Sequence, residues 1–123
     1  MLVIDVRNRT DFDSQGNMPN SVNIPLHEIQ NGAFTLSNAE FRSRYGIEKP
    51  GKGVRLVVSC YSGQLAYVGA LHLTNLGFVS SRAYPGSFNN WISNGGAIVH
   101  GKLLQYKLPL ALFDENEKRY LSF

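Results

Sequence analysis

The stretch Arg55-Leu56-Val57-Val58-Ser59-Cys60-Tyr61-Ser62-Gly63-Gln64-Leu65-Ala66 decides the fold. Arg55 to Ser59 is a short, largely β-branched apolar run, which reads as a buried strand. The strand ends at Cys60. Tyr61 to Leu65 form a loop around a glycine, and a helical pattern opens near Ala66. Val68, Leu71, His72 and Leu76 then fall at helical spacing, and Gly77 stands where a helix cap belongs.

The same alternation runs outward in both directions. Upstream, Leu2-Val3-Ile4 is another buried strand, closed by Asp5-Val6-Arg7. Thr10 to Ser14 reads as a helical turn ended by Gly16, Pro19-Asn20 as a turn, and Val22-Asn23-Ile24 as a strand stopped by Pro25. Ser37-Asn38-Ala39-Glu40 has the form of a capping box, predicting a helix that carries Phe41 and Tyr45 on one face and stops at Gly46. Downstream, Phe78 to Tyr84 reads as a strand. Gly86 to Asn94 reads as a short helix holding Phe88 and Trp91, closed by Gly95-Gly96. Strands alternating with helices predict an α/β fold, a small, mostly parallel sheet flanked by helices in three α/β/α layers. Ligands of such sheets sit beyond the C-terminal strand ends, which is where Cys60 falls.

Composition narrows the function classes. The chain has 123 residues, the size of one domain, and 43% of them are hydrophobic against 17% charged, too apolar for a disordered chain. There is one cysteine, so neither an internal disulfide nor a cysteine-rich zinc site can form. No apolar run reaches the ~20 residues that span a bilayer, and the N-terminus lacks the layout of a secretory signal. The net charge is only +3, with scattered basic residues, which predicts no nucleic-acid and no membrane partner. The expected setting is the cytoplasm, with the mitochondrion left open, and the expected state is a monomer.

Cys60 is the residue whose position carries chemistry. The thiolate is the nucleophile, and an ordinary cysteine ionises near ~8.5. A helix N-terminus favours negative charge, through its unpaired N–H groups and its dipole. A tight glycine-bearing loop can turn several N–H groups toward the sulfur as an anion nest. The competing reading is that of an inert, buried cysteine used as core filler.

Three blocks together resemble a rhodanese-like domain of the single-domain sulfurtransferase type, from Leu2 to about Ile98. The first is Leu2 to Arg7, continued by Asp11-Phe12, Gly16 to Ser21 and Asn23-Ile24-Pro25. The second is Val57 to Ala66, similar to that family's six-residue loop from cysteine to arginine or threonine. The third is Leu76-Gly77-Phe78 with Tyr84-Pro85-Gly86-Ser87-Phe88-Asn89-Asn90-Trp91. The resemblance implies residues 1–100 as the domain, lacking the strand and helix that usually precede Leu2. It implies that Cys60 accepts a sulfane sulfur from a small anion such as thiosulfate and passes it from a persulfide to a thiol, cyanide or an acceptor protein. The backbone of Tyr61, Ser62, Gly63, Gln64 and Leu65 would cradle the persulfide, with Asp5 and Arg7 supporting the pocket. No metal and no cofactor is implied.

Two departures bear on activity. Tyr61 stands where the family often has arginine, and Leu65 where it has arginine or threonine. The loop is therefore neutral, which predicts weak thiosulfate turnover or a less charged donor. The alternative is a catalytically weak or silent binding or regulatory module on the same fold. A phosphatase or arsenate reductase needs an arginine at position 66, which is Ala66, and no Gly-x-Gly-x-x-Gly marks a dinucleotide site.

The remaining features have plain readings. Tyr84 and Ser87 are pocket-rim or turn residues. His27, His72 and His100 have no partner spacing, and Asn8-Arg9-Thr10 is a chance sequon. Residues 101–123 carry the apolar residues Leu103, Leu104, Leu108, Leu110, Leu112 and Phe113. They are expected to pack on the same domain and cover surface left by the absent segment.

Overall fold

A computed structural model describes residues 1–101. The expected packing of the segment beyond them lies outside the described residues. Four strands form one sheet: β1 (Leu2–Asp5), β2 (Ser21–Asn23), β3 (Leu56–Ser59) and β4 (Ser81–Ala83). Their order is β2-β1-β3-β4, and every pairing is parallel. Each connection is a crossover carrying helix: α1 (Arg9–Gln15) between β1 and β2, α2 (Leu26–Gln30) and α3 (Asn38–Tyr45) before β3, and α4 (Gln64–Asn75) before β4. α5 (Ser87–Ser93) follows the last strand. This is the expected α/β fold, a small parallel sheet with helices packed on both of its faces.

Alternation along the strands buries both faces of the sheet. Ile4, Val6, Val22 and Val58 point one way, onto Ile29 of α2, Phe41 and Tyr45 of α3, and Ala70 and Leu73 of α4. Val3 and Val57 point the other way, onto Met18 and onto Phe88 and Trp91 of α5. The capping box forms as its sequence requires. Ser37 Oγ accepts the Glu40 amide at 3.2 Å, and α3 ends at Gly46 in a left-handed conformation.

The apolar spacing that marks α4 is not its buried face. Val68 and Leu71 are exposed, and the face on the sheet is Ala66, Gly69, Ala70 and Leu73. The reason is closeness. A Cβ on Gly69 would lie 3.2 Å from Val58 Cγ1, so small residues are what let the helix settle on the sheet. The last strand is also shorter than Phe78–Tyr84, because Phe78 turns into the core behind Gly77.

Between α1, α2 and α3 lies a polar tie. Arg9 pairs with Glu28, whose Oε1 also accepts the Tyr45 hydroxyl at 2.7 Å. Arg9 holds the Glu28 carboxyl below its ordinary value, while burial and Glu28 push the Tyr45 hydroxyl up to about 12.

Candidate active site

Cys60 follows the last residue of β3, and α4 begins after Gly63, so the loop between them is very short. Gly63 is the reason it can close. Its φ of 112° lies in the left-handed region, and a Cβ there would stand 3.0 Å from the Gly86 nitrogen of the facing turn. The turn aims amides at the sulfur: Gly63 N–H donates to Sγ at 3.0 Å and Ala66 N–H at 3.3 Å. Of the run Tyr61 to Leu65, one member thus supplies a donor. The second comes from Ala66, in the first turn of α4, where helix amides lack internal partners.

Gly63→Ala is expected to destabilise the domain by about 2 kcal/mol, the scale of a side chain forced into that backbone region. It is also expected to slow chemistry at Cys60 at least about tenfold, because the amides lose their aim. A urea melt and a thiol-labelling rate check both; a variant unchanged in either would contradict this account of the turn.

A second turn grips the same loop from behind. Cys60 N–H donates to Ser87 Oγ at 3.1 Å, Phe88 N–H to the Cys60 carbonyl at 3.1 Å, and Asn89 N–H to the Tyr61 carbonyl at 2.9 Å. The first-turn amides of α5 are thereby satisfied by the carbonyls of the cysteine loop. Ser87 stands at the junction rather than at the cavity rim.

Sγ opens on a cavity of about 550 Å³. Tyr61, Ser62, Gln64 and Leu65 form one wall. Val6 and Arg7 after β1, Asn8, Asp11 and Gln15 at α1, and Leu26, His27 and Gln30 of α2 complete it. Cys60 is only 3% exposed, whereas Tyr61 and Leu65 are 49% and 50% exposed at the mouth. Asp11 and His27 reach the cavity from elements remote in sequence, and no local spacing announces them. His72 and His100 lie elsewhere.

The charge of the cavity differs from what Arg7 alone suggests. Arg7 is buried and donates through Nε and Nη2 to Asp5, at 3.0 Å to Oδ1 and 2.8 Å to Oδ2. It also donates to the Gly16 carbonyl at 2.8 Å and to Gln15 Oε1 at 3.2 Å, and lies 4.3 Å over the Phe88 ring. Burial pushes the Asp5 carboxyl up and the Arg7 guanidinium pulls it back. With Asp5 balancing Arg7 and Asp11 adding a carboxylate, the wall carries no net positive charge. Among the described residues, no group of His, Cys, Asp and Glu is placed to hold a metal ion.

Residues 1–94 match the family model described as a rhodanese-like domain. The chain belongs to the rhodanese-like family. Among curated rhodanese-like relatives, it is 36% identical over 93 residues to a mouse protein, thiosulfate sulfurtransferase/rhodanese-like domain-containing protein 3, covering 76% of this chain and 59% of that one. It is 32% identical to the Saccharomyces cerevisiae thiosulfate:glutathione sulfurtransferase, covering 78% and 68%. Among solved structures, the human single-domain sulfurtransferase TSTD1 superposes with a TM-score of 0.73 at 28% identity, covering 77% of this chain and 83% of that one. The yeast single-domain sulfurtransferase RDL2 gives 0.69 at 30% identity, covering 81% and 80%.

Proposed function

We propose that the chain is a rhodanese-type sulfurtransferase in which Cys60 carries the sulfur as a persulfide. The observation supporting this reading is the pair of N–H groups from Gly63 and Ala66 on Sγ at the floor of an open cavity. In the first half-reaction the Cys60 thiolate attacks the outer sulfur of a donor such as thiosulfate. A new S–S bond forms at Cys60, the donor's S–S bond breaks, and sulfite leaves with the bonding pair. In the second, an acceptor thiolate or cyanide takes the outer sulfur, and Cys60 departs as the thiolate. The thiolate carries its charge on Sγ and the persulfide carries it on the outer sulfur bonded to Sγ, so fixed amides at the loop stand beside negative charge in both forms. The scheme needs no metal and no organic cofactor.

Relatives named for thiosulfate and glutathione support a small sulfur-containing donor and a thiol acceptor. Relatives in Schizosaccharomyces pombe and Saccharomyces cerevisiae are named mitochondrial, and the proposed location is the cytoplasm or the mitochondrion. Among the described residues no helix is long and apolar enough to cross a membrane.

Intact mass after incubation with thiosulfate, and separately with mercaptopyruvate, tests the reading. The expected result is a gain of one sulfur atom from at least one donor, removable by a thiol. No gain from either favours the second reading, a binding or regulatory module, which draws on the neutral loop and the balanced Arg7. Leu65→Arg separates lost charge from lost chemistry. A cation at this mouth is expected to raise kcat/KM for thiosulfate about tenfold, roughly 1.4 kcal/mol at a half-exposed site. The gain should shrink with added salt. An unchanged rate would refute missing charge as the limit.

A further inference from the structure

Ser87 is a buried serine with φ at 48°, a left-handed conformation that a side chain resists. Such a residue persists where its side chain does something a glycine could not. Its hydroxyl has one hydrogen and two lone pairs. The hydrogen goes to the Tyr84 carbonyl at 2.9 Å, and a lone pair takes the Cys60 N–H at 3.1 Å. Sγ itself is 3.8 Å from Oγ, with the sulfur as the donor. Once the thiol has lost its proton, Ser87 has no hydrogen left to offer the sulfur. Its hold on the nucleophile therefore runs through the backbone of Cys60.

We propose that Ser87 is a positioning residue for the nucleophile, fixing the Cys60 backbone so that Sγ stays at the focus of the Gly63 and Ala66 amides. The proposal rests on the sulfur-transfer reading for its purpose and not for its test. Ser87 does not line the cavity, so it acts on the reacting atom and not on substrate affinity. Its neighbours Phe88 and Asn89 hold the carbonyls of Cys60 and Tyr61, and Ser87 supplies the third tie, on the amide side.

Two variants separate positioning from bulk stability. Ser87→Ala deletes the hydroxyl and keeps the backbone strain. Ser87→Gly deletes the hydroxyl and relieves the strain. A structural residue would make reactivity follow stability, with the glycine variant ahead. A positioning residue makes both variants slow to the same degree, whatever their melting temperatures. The measurement is the alkylation rate of Cys60 by iodoacetamide, with thermal melts alongside, which needs no sulfur donor. The expected result is a fall of about tenfold in both variants, the scale of a nucleophile shifted by a fraction of an ångström. In sulfur transfer the loss should appear in kcat with KM held. A Ser87→Gly protein that alkylates at the wild-type rate overturns the proposal. Wild-type protein that takes no sulfur from any donor overturns the transferase reading, and the alkylation comparison still decides the role of Ser87.

Discussion

Cys60→Ser is expected to abolish sulfur loading, and with it turnover, by about a thousandfold or more. The variant exchanges one chalcogen for another in the same cradle. Gly63 and Ala66 N–H groups, at 3.0 and 3.3 Å from Sγ, find a hydroxyl oxygen in its place. The amide of residue 60 still reaches Ser87, and the loop carbonyls still reach α5, so the melting temperature should barely move. What is lost is the nucleophile: a hydroxyl stays protonated near neutrality, and an alkoxide is a poor leaving group in the second half-reaction. The measurement pairs intact mass after donor treatment with the rate of thiocyanate formation from cyanide. On the persulfide reading, Cys60 is the single cysteine of these 123 residues, so none of them offers a second thiol to relay the sulfur. Sulfur gain or turnover surviving in the variant would place the chemistry outside position 60 and end the persulfide reading.

The parts of this site that could be read in the sequence are those made by neighbours along the chain. A β-branched run, a cysteine, a glycine and a helical pattern fix β3, the loop and α4, and the placement of Cys60 at a C-terminal strand end follows. Ser37 and Glu40 announce their helix because a cap is a local bond. The buried face of α4 could not be read the same way. Apolar residues at Val68 and Leu71 satisfy a helical period, yet the sheet selects Gly69 and Ala70 because only small residues allow so close an approach. The wall of the cavity is harder still. Asp11 and His27 meet Cys60 only because α1 and α2 follow β1 and β2 to the same edge of the sheet. Ser87 is nearly 30 residues from the cysteine whose amide it holds, 27 apart in sequence, and its role is visible only once the two turns are seen back to back. The charge of Arg7 is plain in the sequence, but its neutralisation by Asp5 depends on both side chains turning inward at the end of β1.

That inward pair gives the largest expected effect on stability. Arg7→Ala leaves Asp5 fully buried without its cation, which costs about 3–5 kcal/mol. For a small domain this is a large share of the ~5–15 kcal/mol available, and the melting temperature should fall by roughly 15–30 °C. Lost with it are the bonds to the Gly16 carbonyl and Gln15, which tie the end of β1 to the end of α1, and the packing over Phe88. The pH dependence distinguishes an orphaned charge from a simple cavity. Burial already pushes Asp5 above its ordinary 3.8, and Arg7 is what opposes the rise. Without Arg7 the folded state holds the proton more tightly than the unfolded chain does. Stability then falls as pH rises from 3.8 through the raised folded value, so the variant should recover part of its loss when acidified from neutrality. Arg7→Met with Asp5→Asn should recover most of it at every pH, since no charge is left buried. Melts of the single and double variants across the acid range check the argument. An Arg7→Ala protein within 1 kcal/mol of wild type, or one equally unstable at acid and neutral pH, would mean that Asp5 is not the group the arginine serves.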